Sequence, residues 1–155
     1  MTSTAHPISK QTAYLNVAWE DAYGYAQAVR VGNEIYVSGQ LSHDDAGNFV
    51  APAPLGSDGR PSDFSTMEAQ MRKTYENLSK VLAQFGATLD NVVEETVYVL
   101  DVDSAFAAAG KVRKEAYGTE RPQCASNLIG VSRLAMPVQL IEVACKAILG
   151  PSFKA

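Results

Sequence analysis

Two cysteines, two histidines and a handful of carboxylates are the groups in this 155-residue chain with the most chemistry to offer. Cys124 and Cys145 lie in different predicted strands without Cys-x-x-Cys spacing. With only His6 and His43 to add, they fall short of a structural zinc site, and neither a metal nor any other cofactor is expected. Cys124 is a candidate nucleophile, but a reactive thiol needs a base or cation beside it to depress its pKa. The sequence supplies Arg121 and no histidine partner, so a free thiol lining an interface is the competing reading. His43-Asp44-Asp45 places three metal-capable side chains in a row. Consecutive residues on a turn rarely converge on one ion, and the triplet reads as a hairpin tip. Glu142 and Lys146 share a face of the last predicted strand, about 13 Å apart along it and too far for a direct ion pair.

These groups need elements to position them. Gly32-Asn33 between two apolar runs is a two-residue hairpin signal, predicting strands over 25–31 and 34–40 after a short strand at 13–17. Residues 1–12 are polar and expected to fray, leaving one domain over 13–155. The stretch 51–62 is dense in Pro, Gly and Ser and reads as a long surface loop that could act as a lid. Ser65 and Glu68 form a capping-box pattern that starts a helix near Thr66. Met71, Tyr75, Leu78, Leu82 and Phe85 give this helix one apolar face, and Gly86 ends it. Residues 92–100 read as a strand. Asp103 or Ser104 caps a second helix reaching about Tyr117, and strands over 125–133 and 138–149 follow, with Pro137 between them.

The predicted order is β-β-β-α-β-α-β-β, an α+β fold with two helices on one face of a mixed sheet. On the last strand Ile141, Val143, Cys145 and Ala147 suit the helix-covered core. Leu140, Glu142, Ala144 and Lys146 form a mixed second face that suits a subunit interface lined with pockets.

Composition bounds the function. At 46% hydrophobic and 19% charged the chain is that of a globular protein. A net charge of −4 gives no attraction for phosphate backbones or anionic lipid, so neither nucleic acid nor membrane is an expected partner. No apolar run approaches the ~20 residues of a membrane span, and the N-terminus lacks the apolar core of a signal peptide, so the cytoplasm is the expected compartment. In that reducing compartment no disulfide is expected.

Tyr25-Ala26-Gln27-Ala28-Val29, the run Val31 to Gln40 with its Val37-Ser38-Gly39-Gln40 end, Thr96 to Asp101, Leu128 to Val131 and Leu140 to Val143 together resemble the RidA/YjgF family over about 25–149. The resemblance implies a chorismate-mutase-like fold, a homotrimer with clefts between subunits, and hydrolysis of reactive imines and enamines. It also implies pocket roles for Tyr25, Ser38 and Gly39 and matches Asp103 to a pocket asparagine, although a helix cap already occupies that side chain. Deaminating members bear an arginine in the penultimate strand that pairs with the substrate carboxylate, and a glutamate late in the last strand. Here the arginine position falls on Cys124 counted from Pro122, or on Ser126 counted back from Leu128. The catalytic glutamate position falls on Ala144, leaving Glu142 as the matched carboxylate of that strand.

Glu142 and Cys124 are therefore the candidate catalytic residues, and Tyr25, Ser38, Gly39 and Ser126 the candidate substrate-binding ones. The favoured function is hydrolysis of an imine, enamine or related small metabolite, with substrate choice altered from ordinary 2-imino acids. A non-catalytic trimer that binds a metabolite for regulation is the alternative. RNA cleavage, a third class, is opposed by the acidic balance.

Overall fold

Gly32, at a positive φ that suits glycine, and Asn33 turn the chain so tightly that Val31 pairs directly with Glu34. The hairpin they close, β2 (Ala28–Val31) and β3 (Glu34–Gln40), begins the sheet of the computed structural model, which describes residues 6–151. A short β1 (Gln11–Ala13) pairs with β2. It lies earlier than the strand expected at 13–17, whose residues instead lead into a one-turn helix, α1 (Ala18–Tyr23).

Helix α2 (Met67–Ala83), a 3-10 turn at Leu89–Asn91, β4 (Val92–Val99), α3 (Val102–Tyr117), β5 (Ala125–Gly130) and β6 (Ile141–Ile148) complete the chain. The strands form one sheet in the order β1-β2-β3-β6-β4-β5. The β4–β5 pair, joined through α3, is parallel, and every other pair is antiparallel. The expected α+β class with a mixed sheet holds.

Met71, Tyr75, Leu78 and Leu82 of α2 are buried, as the helical spacing requires, against Ile35 and Val37 of β3 and the inward row Ile141, Val143, Cys145 and Ala147 of β6. Leu140 departs from expectation. Placed by alternation on the open face, it is fully buried, with its carbonyl accepting from Leu100 N and its N–H donating to Gln70. The strand proper begins one residue later, so the alternation does not extend to Leu140.

The helix starts also differ. Ser65 and Glu68 form no capping box: Ser65 is engaged by Asp63 in a turn, and Glu68 pairs with Arg72. Asp101, rather than Asp103 or Ser104, caps α3 by accepting from Ser104 N at 2.8 Å. The stretch 51–62 is a tied-down hairpin. Ala53 N donates to Val138 O, Gly56 N to Arg60 O and Ser62 N to Pro54 O. Buried Gln70 staples its base to the approach to β6, donating to both Ala51 O and Val138 O at 2.9 Å.

Candidate functional site

The register between β3 and β6 slips by one residue between Val37 and Gln40, leaving Ser38 and Gly39 in a bulge. The bulge faces Glu142. A Cβ at Gly39 would come within 2.6 Å of Glu142 Cγ and closer still to the carboxylate, so the acid lies flat on the glycine. Its Oε2 accepts from Gln139 Nε2 at 3.1 Å, and Gln139 is in turn held by Ile141 O and by Met136 N.

Tyr25 stands beside this group. Burial pushes its hydroxyl above the ordinary tyrosine range; hydrogen bonding from Gln27 opposes the shift, and the Glu20 and Glu142 carboxylates add to it. Gln27 Nε2 donates to Tyr25 Oη at 3.2 Å and to Glu20 Oε1 at 2.8 Å, and Gln40 Nε2 donates to Gln27 Oε1 at 2.8 Å. Glu20 also accepts from Leu15 N and Asn16 N, so one buried carboxylate shapes the turn leading to Tyr25. Ser38 Oγ donates to Ala26 O at 2.8 Å, which spends its hydroxyl on the hairpin and leaves its backbone for the site.

The structure thus brings Tyr25, Ser38, Gly39 and Glu142 together and places Cys124 and Ser126 elsewhere in the chain. Ser126 points to the helix-covered side of the sheet, donating to Glu95 Oε1 at 2.8 Å. Glu95 is fully buried and accepts three further bonds, from Tyr75 Oη at 3.0 Å, Tyr117 Oη at 2.9 Å and Arg113 Nε at 2.6 Å. Burial pushes the Tyr75 and Tyr117 hydroxyls far up, and the Glu95 carboxylate pushes them further. Cys124 is half-buried on the same side, its Sγ donating to Ala125 O. Burial pushes its thiol up despite the Tyr117 hydroxyl beside it, the reverse of what a thiolate nucleophile needs.

Sequence reasoning missed Gln139, which aims Glu142, and Glu95, which anchors the second cluster. Period-2 alternation places Glu95 with Val97 and Val99 on the inward face of β4, and that was its available signal. The register shift between Val92 and Glu94 hides it. Asp44 is the anchor of a turn, accepting from Ala46 N and Asn48 N, while Asp45 pairs with Lys80 and buried His43 packs edge-on against Trp19. Among the described residues no cluster of three or more His, Cys, Asp or Glu side chains could hold a metal ion. Within the same residues, no helix is long and apolar enough to cross a membrane.

A mixed sheet backed by two long helices, with a bulge and a carboxylate facing each other across β3 and β6, defines a YjgF-like class of protein. The profile of the endoribonuclease L-PSP family matches residues 16–149, and the chain belongs to that family, also known as RidA/YjgF. A RutC family protein of Pyrococcus abyssi is 31% identical over 137 residues, 88% of this chain and 94% of the relative. A 2-iminobutanoate/2-iminopropanoate deaminase of Dermatophagoides farinae is 29% identical over 110 residues, 71% of this chain and 74% of that protein. A crystal structure of a Mycobacterium tuberculosis member of the YjgF/YER057c/UK114 family superposes with a TM-score of 0.69 at 28% identity, covering 91% of this chain and all of that one.

Proposed function

We propose that the protein hydrolyses a reactive imine or enamine of a small metabolite in clefts between the subunits of a homotrimer, with substrate choice shifted from ordinary 2-imino acids. The observation that carries this reading is the Glu142 carboxylate, aimed by Gln139 and laid over the Gly39 backbone next to a protonated Tyr25. Water attacks the imine carbon while Glu142 accepts a proton from it. The tetrahedral carbinolamine then expels ammonia as the carbon–oxygen double bond forms, with the proton passing to the departing nitrogen. Tyr25 protonates the imine nitrogen as water adds and regains a proton from the carbinolamine hydroxyl as the carbonyl forms, and the bulge at Ser38 and Gly39 lets substrate approach the backbone. The deaminase among the relatives supports the reaction class.

Cys124 and Ser126 lie on the helix-covered side of the sheet, apart from the Glu142 pocket. Burial keeps the Cys124 thiol neutral there, and the Cys124→Ser variant measures whether it takes part in turnover. Neither residue at the family's arginine position is a cation, which removes a bidentate partner for a substrate carboxylate. The resulting loss is about ten- to a hundred-fold in kcat/KM on simple 2-imino acids. The net charge of −4 works against the RNA backbone implied by the family's endoribonuclease name. The two free thiols fit a reducing compartment, and we assign the protein to the cytoplasm, although relatives in two yeasts carry mitochondrial names.

The test uses imines generated freshly by an amino-acid oxidase, with and without carboxylates, and compares the natural protein with Glu142→Gln and Cys124→Ser. Turnover of carboxylate-free imines, lowered about a hundred-fold or more by Glu142→Gln, is expected. No acceleration on any imine, or full activity in Glu142→Gln, would overturn the reading.

A further inference from the structure

A concavity of about 390 Å³ opens between α3 and β5, lined by Phe106, Ala109, Gly110 and Arg113 from the helix and Ser126 and Leu128 from the strand. Three features suggest a groove built to receive something. Phe106 is 76% exposed, an unusual amount for a phenyl ring with no packing role. Gly110 sits inside a 16-residue helix, where glycine costs stability, yet a Cβ there would meet no atom within 4 Å. No packing contact calls for the glycine, and its bare flank widens the groove. Arg113 Nη2 is buried without a hydrogen-bond acceptor.

Charge decides what fits. The Arg113 guanidinium is bonded through Nε to fully buried Glu95, so the polar end of the groove is a neutral ion pair with N–H groups to spare. An entering carboxylate would meet the Glu95 charge at close range in a poorly solvated site. A ketone, imine or amide acceptor would meet only the donors. Concave, mostly apolar walls with a few convergent polar groups are the usual make-up of a small-molecule site.

We propose that the α3–β5 groove binds a small, uncharged, apolar carbonyl or imine compound. The polar atom accepts a hydrogen bond from Arg113, and the hydrocarbon body lies on Phe106, Leu128 and the open flank of Gly110. The groove lies on the helix-covered side of the sheet, apart from Glu142, so the proposal goes beyond the function above and does not rest on it. Occupancy of the groove is measured by binding alone.

Acetophenone and benzoate serve as matched probes, nearly the same in size and differing in charge, titrated into the full-length protein while backbone amide shifts are followed by NMR. Acetophenone is expected to move resonances of α3 and β5 and to bind roughly ten-fold or more tightly than benzoate. Gly110→Leu fills the groove and replaces a poor helix former with a good one, so it should fold and lose acetophenone binding. Glu142→Gln should keep the binding while imine turnover falls, which separates failure of the groove from failure of the catalytic assignment. Acetophenone shifts that survive Gly110→Leu, no acetophenone binding at all, or tighter binding of benzoate would each overturn the proposal.

Discussion

Glu142 occupies the space that a side chain at Gly39 would need. The glycine in the bulge is thus the seat of the carboxylate, and the two positions should tolerate change only together. Gly39→Ala is expected to push Glu142 off its Gln139 contact and lower imine turnover about as much as Glu142→Gln does, a hundred-fold or more. The fold should remain, because the displaced group is a half-exposed side chain. Unchanged kcat in a well-folded Gly39→Ala protein would show that the seat is irrelevant to turnover.

Buried Glu95 and half-buried Arg113 form an ion pair whose members depend on each other. Glu95→Leu removes the carboxylate and leaves Arg113 with two tyrosine hydroxyls for company, a loss of about 3–5 kcal/mol in unfolding free energy. Adding Arg113→Met should recover most of it. Denaturant titration of the two variants measures this, and equal destabilisation by single and double changes would argue that the tyrosines, rather than the charges, hold the cluster.

Cys124 should alkylate late. Its folded thiol is raised above the ordinary cysteine value, so less thiolate is present at neutral pH than in a free cysteine, and reaction with iodoacetamide should set in at higher pH than in an unfolded control. Cys145, pushed up to about 12 by burial, should stay silent over the same range. An onset below that of the unfolded control would restore Cys124 as a nucleophile.

Asp101 caps α3, and its hydrogen bonds from the Ser104 hydroxyl and backbone hold its carboxyl below the ordinary aspartate value. A depressed folded pKa contributes stability that is complete above the unfolded pKa and fades as pH falls through the folded one. Asp101→Ala should therefore lower Tm by about 2–4 °C at pH 7, with the gap closing in acid below about pH 4. Thermal melts at pH 7 and pH 3 decide it. A constant gap would place the effect in helix propensity instead.

The open face of the sheet bears exposed Tyr36 and Ile129, and a closed three-fold assembly would cover them without leaving a free edge of contact. Sedimentation equilibrium should give three times the chain mass at micromolar concentration, and Ile129→Asp should shift it toward monomer. A monomer in the natural protein would end the case for inter-subunit clefts.

The β2–β3 hairpin, both long helices and the inward row of β6 were legible because each rests on local signals: a Gly-Asn turn, apolar spacing of three and four, strict alternation. The cap of α3 was missed by two residues because Asp101, Asp103 and Ser104 are all good caps, and only the path of the chain leaving β4 selects among them. Tyr25, Ser38, Gly39 and Glu142 could be grouped through the family pattern. Gln139 could not, since its value lies in being level with Glu142 across a bend that no periodicity encodes. Ser126 read as a pocket residue by register, yet its hydroxyl turns inward to Glu95, a partner 31 positions away.

The sheet order places β6, the last strand described, between β3 and β4. Until that strand is made, a growing chain holds two exposed strand edges that will later be its centre, and α2 has only half of its floor. Synthesis from the N-terminus thus leaves the sheet open until β6 emerges, with sticky edges to shelter meanwhile. Nascent chains stalled before Ile141 should engage chaperones or aggregate, and a circular permutant that begins with β6 should be freed from that wait.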